Sequence, residues 1–229
     1  MSGLPSLRVS ALRRREHYAS LQGAWNFNEG SGTTAYDSSG NGRHLTVDAA
    51  LTWPAGHSGS TAIANAGVTG GARIAWNILG SPVTIMGWAR PTELTVNSDR
   101  PLFGIWDSTD ISGATQLAIW AQRGSFSTPD VLQGNVRIGG GLIAVNHTAL
   151  TLNTWVHVAL SFDGNNIRLY RNGTEVATVA NTGTINSGSF FFVVAPNPGQ
   201  AQVDDVRIFG AALTAPQIVS LMGSPVAPL

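Results

Sequence analysis

The sequence predicts an all-β chain of two packed antiparallel sheets, and three observations carry that expectation. Aromatic and β-branched residues come in short runs broken by turn residues, at the spacing of roughly 8–12 residues expected of a sandwich. Glycine is abundant, at 27 residues, while charged residues make up only 11% of the chain, the balance of a globule rich in turns. Two tight hairpins are also legible. One is Phe162-Asp163-Gly164-Asn165-Asn166-Ile167. The other is Arg171-Asn172-Gly173-Thr174, whose Asn-Gly pair suits the positive φ angles of a type I′ turn.

Taken in order, residues 1–20 form a basic N-terminal arm, a short amphipathic helix or an extended segment, read either as a solvated, partly disordered terminus or as an arm that docks on a neighbouring subunit. Arg8, Arg13, Arg14 and Arg15 stand there against Glu16, a balance of +3. A domain over 21–223 follows, with strands expected at 24–28, 43–47, 61–64, 72–76, 83–90, 101–106, 116–121, 131–138 and 142–146. The last group lies at 155–162, 167–171, 175–179, 190–194 and 203–209. In the strand at 155–162, Val156, Val158, Leu160 and Phe162 make the core face, and Trp155, His157, Ala159 and Ser161 the other. No internal repeat or linker divides the body. The one helix is expected at 213–223, because Thr214 and Gln217 have capping-box spacing, Pro216 falls in the first turn and Gly223 can end it. The tail at 224–229 reads as loosely ordered.

Composition narrows the function. Beyond residue 20, nine arginines face twelve acids, a balance of −3, so the body lacks the concentrated cations that nucleic acid requires. The absence of cysteine excludes disulfides, thiolate nucleophiles and Cys-ligated zinc. No run reaches the length of a membrane span, and no secretory signal is legible at the N-terminus. Export would then need a leader already removed, or a route such as incorporation into a virus particle.

The stretch 25–44 changes from strand to a glycine- and oxygen-rich loop, read either as turn chemistry or as a site for a hard cation. Its motif Trp25-Asn26-Phe27-Asn28-Glu29-Gly30-Ser31-Gly32, followed by Asp37-Ser38-Ser39-Gly40-Asn41-Gly42, resembles the opening signature of laminin-G-like domains. Val83-Thr84-Ile85-Met86-Gly87-Trp88 agrees with that resemblance. So do Trp155-Val156-His157-Val158-Ala159, Tyr170-Arg171-Asn172-Gly173 and Asp204-Asp205-Val206-Arg207-Ile208-Phe209, in the family's order. The resemblance spans about residues 22–222 and implies a concanavalin A-like jelly-roll sandwich with one short C-terminal helix. It also implies a structural Ca²⁺ tying the early loop to the acidic pair. Carried over, Glu29, Asp37 and Asn41 would meet Asp204 or Asp205, only one of which should reach the ion if neighbours on a strand alternate faces. Asn28 stands where the family often has Asp, which removes one anionic ligand. The competing reading has Asp37, Ser38, Ser39 and Asn41 satisfying turn amides.

Glycan binding would use aromatic faces with amides or carboxylates beside them. Trp53, Trp76, Trp106, Trp120, Tyr36 and His147 are the candidates, while Trp25, Trp88 and Trp155 are expected in the core. The same tryptophans also suit plain packing. Catalysis is not expected. The four glutamates, Glu16, Glu29, Glu93 and Glu175, make no paired arrangement of the kind glycosidases use, and no Ser-His-Asp pattern is legible. The reading is a non-catalytic surface interaction module, extracellular or on a virion. Its expected setting is a bacteriophage decoration, head-fibre or tail role, with the arm contacting other virion or surface proteins and the domain expected as a homo-oligomer or part of a larger assembly that touches host glycans. An exported carbohydrate-binding protein is the alternative.

Overall fold

The computed structural model describes residues 20–57, 61–65, 70–76, 80–93, 99–108, 113–122, 131–148, 150–195 and 200–226. The arm at 1–19 and the end of the tail at 227–229 lie outside them. In chain order the strands are β1 (Leu21–Trp25), β2 (Thr34–Ala35), β3 (Leu45–Val47), β4 (Ile63–Asn65), β5 (Ala72–Trp76), β6 (Val83–Pro91), β7 (Asp99–Trp106) and β8 (Thr115–Gln122). They continue with β9 (Val131–Ile138), β10 (Gly141–Thr148), β11 (Val156–Phe162), β12 (Asn166–Arg171), β13 (Thr174–Ala180), β14 (Phe190–Val194) and β15 (Ala201–Phe209), and the helix α1 covers Ala215–Met222.

The strands form two antiparallel sheets. The first runs β1-β15-β6-β11-β12-β13, with β4 sharing the edge of β15 alongside β1; the second runs β10-β9-β8-β7-β14-β5-β3-β2. This is the jelly-roll sandwich expected from the sequence. The hairpins follow their local chemistry. Asn172 and Gly173 take φ of 49° and 79°, as a type I′ turn demands. At the other turn Asp163 accepts the amides of Asn165 and Asn166 at 2.8 and 2.7 Å.

The main core lies between the sheets, where Val156, Val158, Leu160 and Phe162 meet Phe103, Ile105, Leu117 and Ile119. Trp25 closes one end. It stacks on Phe192 at 4.9 Å, meets Trp76 edge-on at 6.3 Å, and its indole N–H donates to Arg43 O at 2.8 Å. A second cluster covers part of the outer face of the first sheet. There Ile218, Leu221 and Val226 lie over Met86, Ala159, Tyr170 and Phe209. The helix begins as expected, with Gln217 Oε1 accepting the Thr214 amide at 2.7 Å. The tail departs from expectation at its start. Val226 is buried and donates its amide to Asp205 Oδ1 at 3.0 Å, so apolar packing and a buried acceptor hold it.

Candidate functional site

Strand β6 shows how the site arises. Val83, Ile85 and Ala89 point into the sandwich, so Thr84, Met86, Trp88 and Arg90 point out. Trp88 and Trp155 were expected in the core, and the structure corrects both. They are half-buried on the outer face of the first sheet, because β6 alternates and Trp155 stands just before β11 begins. Residues 52–54 run beside 62–64, with backbone hydrogen bonds joining Thr52 to Ala64 and Ala62 to Pro54, and Gly56 and His57 then turn onto this face. Gly56 is needed there, since a Cβ would lie 2.4 Å from Thr61 O and 2.7 Å from Asp204 Oδ2. The next amide, His57 N, donates to Asp204 Oδ2 at 2.8 Å. That bond seats the His57 ring on Trp88, stacked at 3.5 Å, with Trp155 edge-on at 5.7 Å. His157 meets Trp88 from beside it at 5.3 Å.

The result is a surface platform of three aromatic rings, with His57 exposed. Arg90 lies next to it on β6, donating to Asn153 O at 3.0 Å and to Gln202 Oε1 at 3.2 Å. Beneath it are the buried groups Asp204, Asp205, His157 and Arg207. Burial, reinforced by the positive Arg207 and by His57, pushes His157 down to about 3. Burial also lowers His57, against the pull of Asp205. Both rings are therefore neutral at pH 7. A neutral, pinned aromatic surface with amide and guanidinium groups at its margin suits the apolar face and hydroxyls of a sugar ring.

Asp204 and Asp205 depart from simple alternation. A β-bulge interrupts the pairing of β15 with β6 between Asp204 and Arg207, and Asp205 takes φ of 48°. Both carboxylates consequently accept from segments lying over the outer face, Asp204 from His57 N and Asp205 from Val226 N.

The residues expected to bind calcium are not brought together. Asp37 is buried and accepts the amides of Ala24, Ser39 and Arg43 and the hydroxyl of Ser39, all at 2.8–2.9 Å. Those four donors fill the acceptor capacity of a carboxylate. Asn41 donates to Leu21 O and Gln22 O. Glu29 accepts the Tyr36 amide at 2.7 Å through one oxygen, and its other oxygen is buried without a partner among the described residues. Strand β1 separates this loop from β15, since Trp25 bridges Asp37 on one side and pairs Val206 on the other. Among the described residues no three His, Asp or Glu side chains gather to hold a metal. As a clamp between the early loop and β15, the set does not fit Ca²⁺. Chelation with EDTA is expected to leave the melting temperature unchanged; a clear fall, recovered by added calcium, would show an ion bound elsewhere.

The expected sugar-stacking residues also divide. Trp76 is in the core, its ring occupied by Trp25, Phe192 and the Arg43 guanidinium at 4.5 Å. Trp53 packs against that core. His147 sits opposite the core residue Leu132 on the edge strand β10 and is half-buried. Trp106 and Trp120 do meet, edge-on at 6.0 Å, on the outer face of the second sheet. They are 0% and 8% exposed, so neither offers a face to a ligand. Tyr36 is 52% exposed and meets His44 edge-on at 5.3 Å. His57 and Trp88 were missed in the sequence. The usable signal was the parity of Thr84 and Arg90 with Trp88, obscured by the apolar run around it.

Comparisons with known proteins agree with the architecture. The family model for the concanavalin A-like lectin/glucanases superfamily matches residues 69–219. Comparison with curated proteins gave no match. Among solved structures, the fold is similar to domain 4 of a GH43 extracellular arabinanase from Geobacillus stearothermophilus, solved with arabinotriose. The TM-score is 0.64 at 19% identity, covering 88% of this chain and 98% of that one. The binding domain of Paraclostridial Mosquitocidal Protein 1 gives 0.66 at 17% identity, over 90% of this chain and 52% of that one. The botulinum neurotoxin serotype C1 binding domain gives 0.66 at 14%, over 91% and 53%. The chain thus spans the whole arabinanase domain but about half of either toxin domain.

Proposed function

Because the chain belongs to the concanavalin A-like lectin/glucanase superfamily, we propose that it is a lectin-like interaction module that holds a carbohydrate on the platform of His57, Trp88 and Trp155. The fold alone assigns no activity. The observation that carries the proposal is the aromatic cluster itself, gathered at the surface and seated by the Asp204 hydrogen bond. The arabinotriose held by the similar arabinanase domain, and the binding role named for the toxin domains, support the same reading. Catalysis is not part of it. Glu175 is an ion-pair partner of Arg168, and Glu29 caps the Tyr36 amide.

We place the module outside a cell or on a virus particle, as a decoration or fibre component attached through residues 1–20. That setting rests on the basic arm, and no helix among the described residues is long and apolar enough to cross a membrane.

A glycan array that includes arabino-oligosaccharides tests the reading. The expected result is retention of at least one glycan, with Trp155→Ala and His57→Ala each weakening binding about tenfold. No retained glycan would end the proposal. Wild-type affinity in both variants would end the assignment to this platform.

A further inference from the structure

A cleft of about 370 Å³ opens between α1 and the hairpin of β12 and β13, on the outer face of the first sheet. Asp163, Arg168, Tyr170 and Glu175 form one wall, and residues 212–215 the other. Asp163 is fully engaged, by Arg168 Nη1 at 2.6 Å and by two hairpin amides. Glu175 is not. Its carboxylate stands 3.7 Å from Arg168 Nε and its side chain is 41% exposed. Among the described lining residues two carboxylates share one guanidinium, so this lining carries an unbalanced negative charge facing solvent.

The root of the N-terminal arm lies along a track to this cleft. Gly210 N donates to Ser20 O at 2.7 Å. From there residues 210–213 cross the sheet, held by Thr84 Oγ1, which donates to Ala211 O at 2.7 Å and accepts Leu213 N at 2.9 Å. Leu213 O in turn accepts the Tyr170 hydroxyl at 3.5 Å, inside the cleft wall. The strand order puts β12 four strands from β1, about 19 Å at the usual strand spacing. Arg15, Arg14 and Arg13 stand five, six and seven residues before Ser20, and such lengths of extended chain reach about 17–25 Å. Reach and charge both match.

We propose that the cleft is the docking site of the chain's own N-terminal arm, taking the guanidinium of Arg13, Arg14 or Arg15 beside Glu175. An exposed ion pair is weak alone, but the tether supplies an effective concentration in the millimolar range. The docked arm is withheld from other partners until salt or a competing surface displaces it.

Hydrogen exchange of residues 8–16 in the full chain, followed by mass spectrometry, tests this. Their amides are expected to exchange about fivefold more slowly than in a free peptide of residues 1–20. Glu175→Lys should return them to the peptide rate, as should raising salt from about 0.05 to 0.5 M, while the melting temperature confirms that the variant stays folded. Peptide-like exchange in the wild type would overturn the proposal, as would protection that persists in Glu175→Lys. Protection that grows with protein concentration would overturn it too, since the bound arm would then be a neighbour's.

Discussion

Asp37→Ala is expected to lower the melting temperature by about 10 °C or more. The side chain is 1% exposed and accepts four hydrogen bonds, three of them from the backbone of β1 and the following loop. Alanine would orphan those amides at about 1–3 kcal/mol each where they are buried, or roughly 3–5 kcal/mol together. For a domain of this size each kcal/mol is worth about 2–4 °C. Asp37→Asn should fall between, since its amide group would confront a donor. Burial by itself would raise the Asp37 carboxyl, but the amides of Arg43, Ser39 and Ala24 outweigh it and the carboxyl is lowered. Its contribution is therefore complete above the ordinary value of 3.8 and is lost as pH falls below it. Thermal melts of the two variants at pH 7 check this, and a melting temperature equal to wild type would refute the role.

The second large effect comes from His157, and it acts in a different window. Its folded value of about 3 lies below the ordinary 6.5 because burial, Arg207 and His57 all oppose a charge there. Below pH 6.5 the unfolded chain binds a proton that the folded chain refuses. Stability is thus fully present above 6.5 and declines as pH falls toward about 3. Between pH 7 and pH 5 the loss is about 2 kcal/mol, or about 4–8 °C in melting temperature. His57 contributes in the same direction, but it is largely exposed and its share is small. His157→Gln is expected to flatten this limb of the profile and to leave the fall below pH 4 intact. An unchanged slope would show that His157 is not the group responsible.

The fold was more legible than the site, for reasons that particular residues make clear. Strands β5, β9 and β14 fall where the sequence put them, because each is bounded by turn residues and alternates or runs apolar throughout. Strand β1 comes three residues earlier than expected. Asn26 and Phe27 continue the alternation begun by Trp25, but Phe27 takes φ of 50°, and the pairing with β15 stops at Trp25. The two residues of β2 carry no pattern at all. The platform was hidden because it is a tertiary juxtaposition: His57 comes from a loop, Trp88 from a strand and Trp155 from a strand approach. The bulge at Asp205 was hidden as well, since an aspartate in the left-handed region leaves no sign in its neighbours. The loop at 25–44 was legible in composition and ambiguous in purpose. Geometry assigns Asp37 to the backbone amides.

Strand β15 bears on how such a domain can be joined to other chains. Ser20 is hydrogen-bonded to Gly210 at its end, and Val226 to Asp205 within it. The two ends of the described body are therefore anchored five residues apart along one strand, about 17 Å. A unit whose entrance and exit lie so close can be spliced into a loop of a host protein without forcing the host apart. Its ends can equally be joined by a short linker and the chain reopened elsewhere. The same fastening makes β15 the element through which a pull on either end would be felt first.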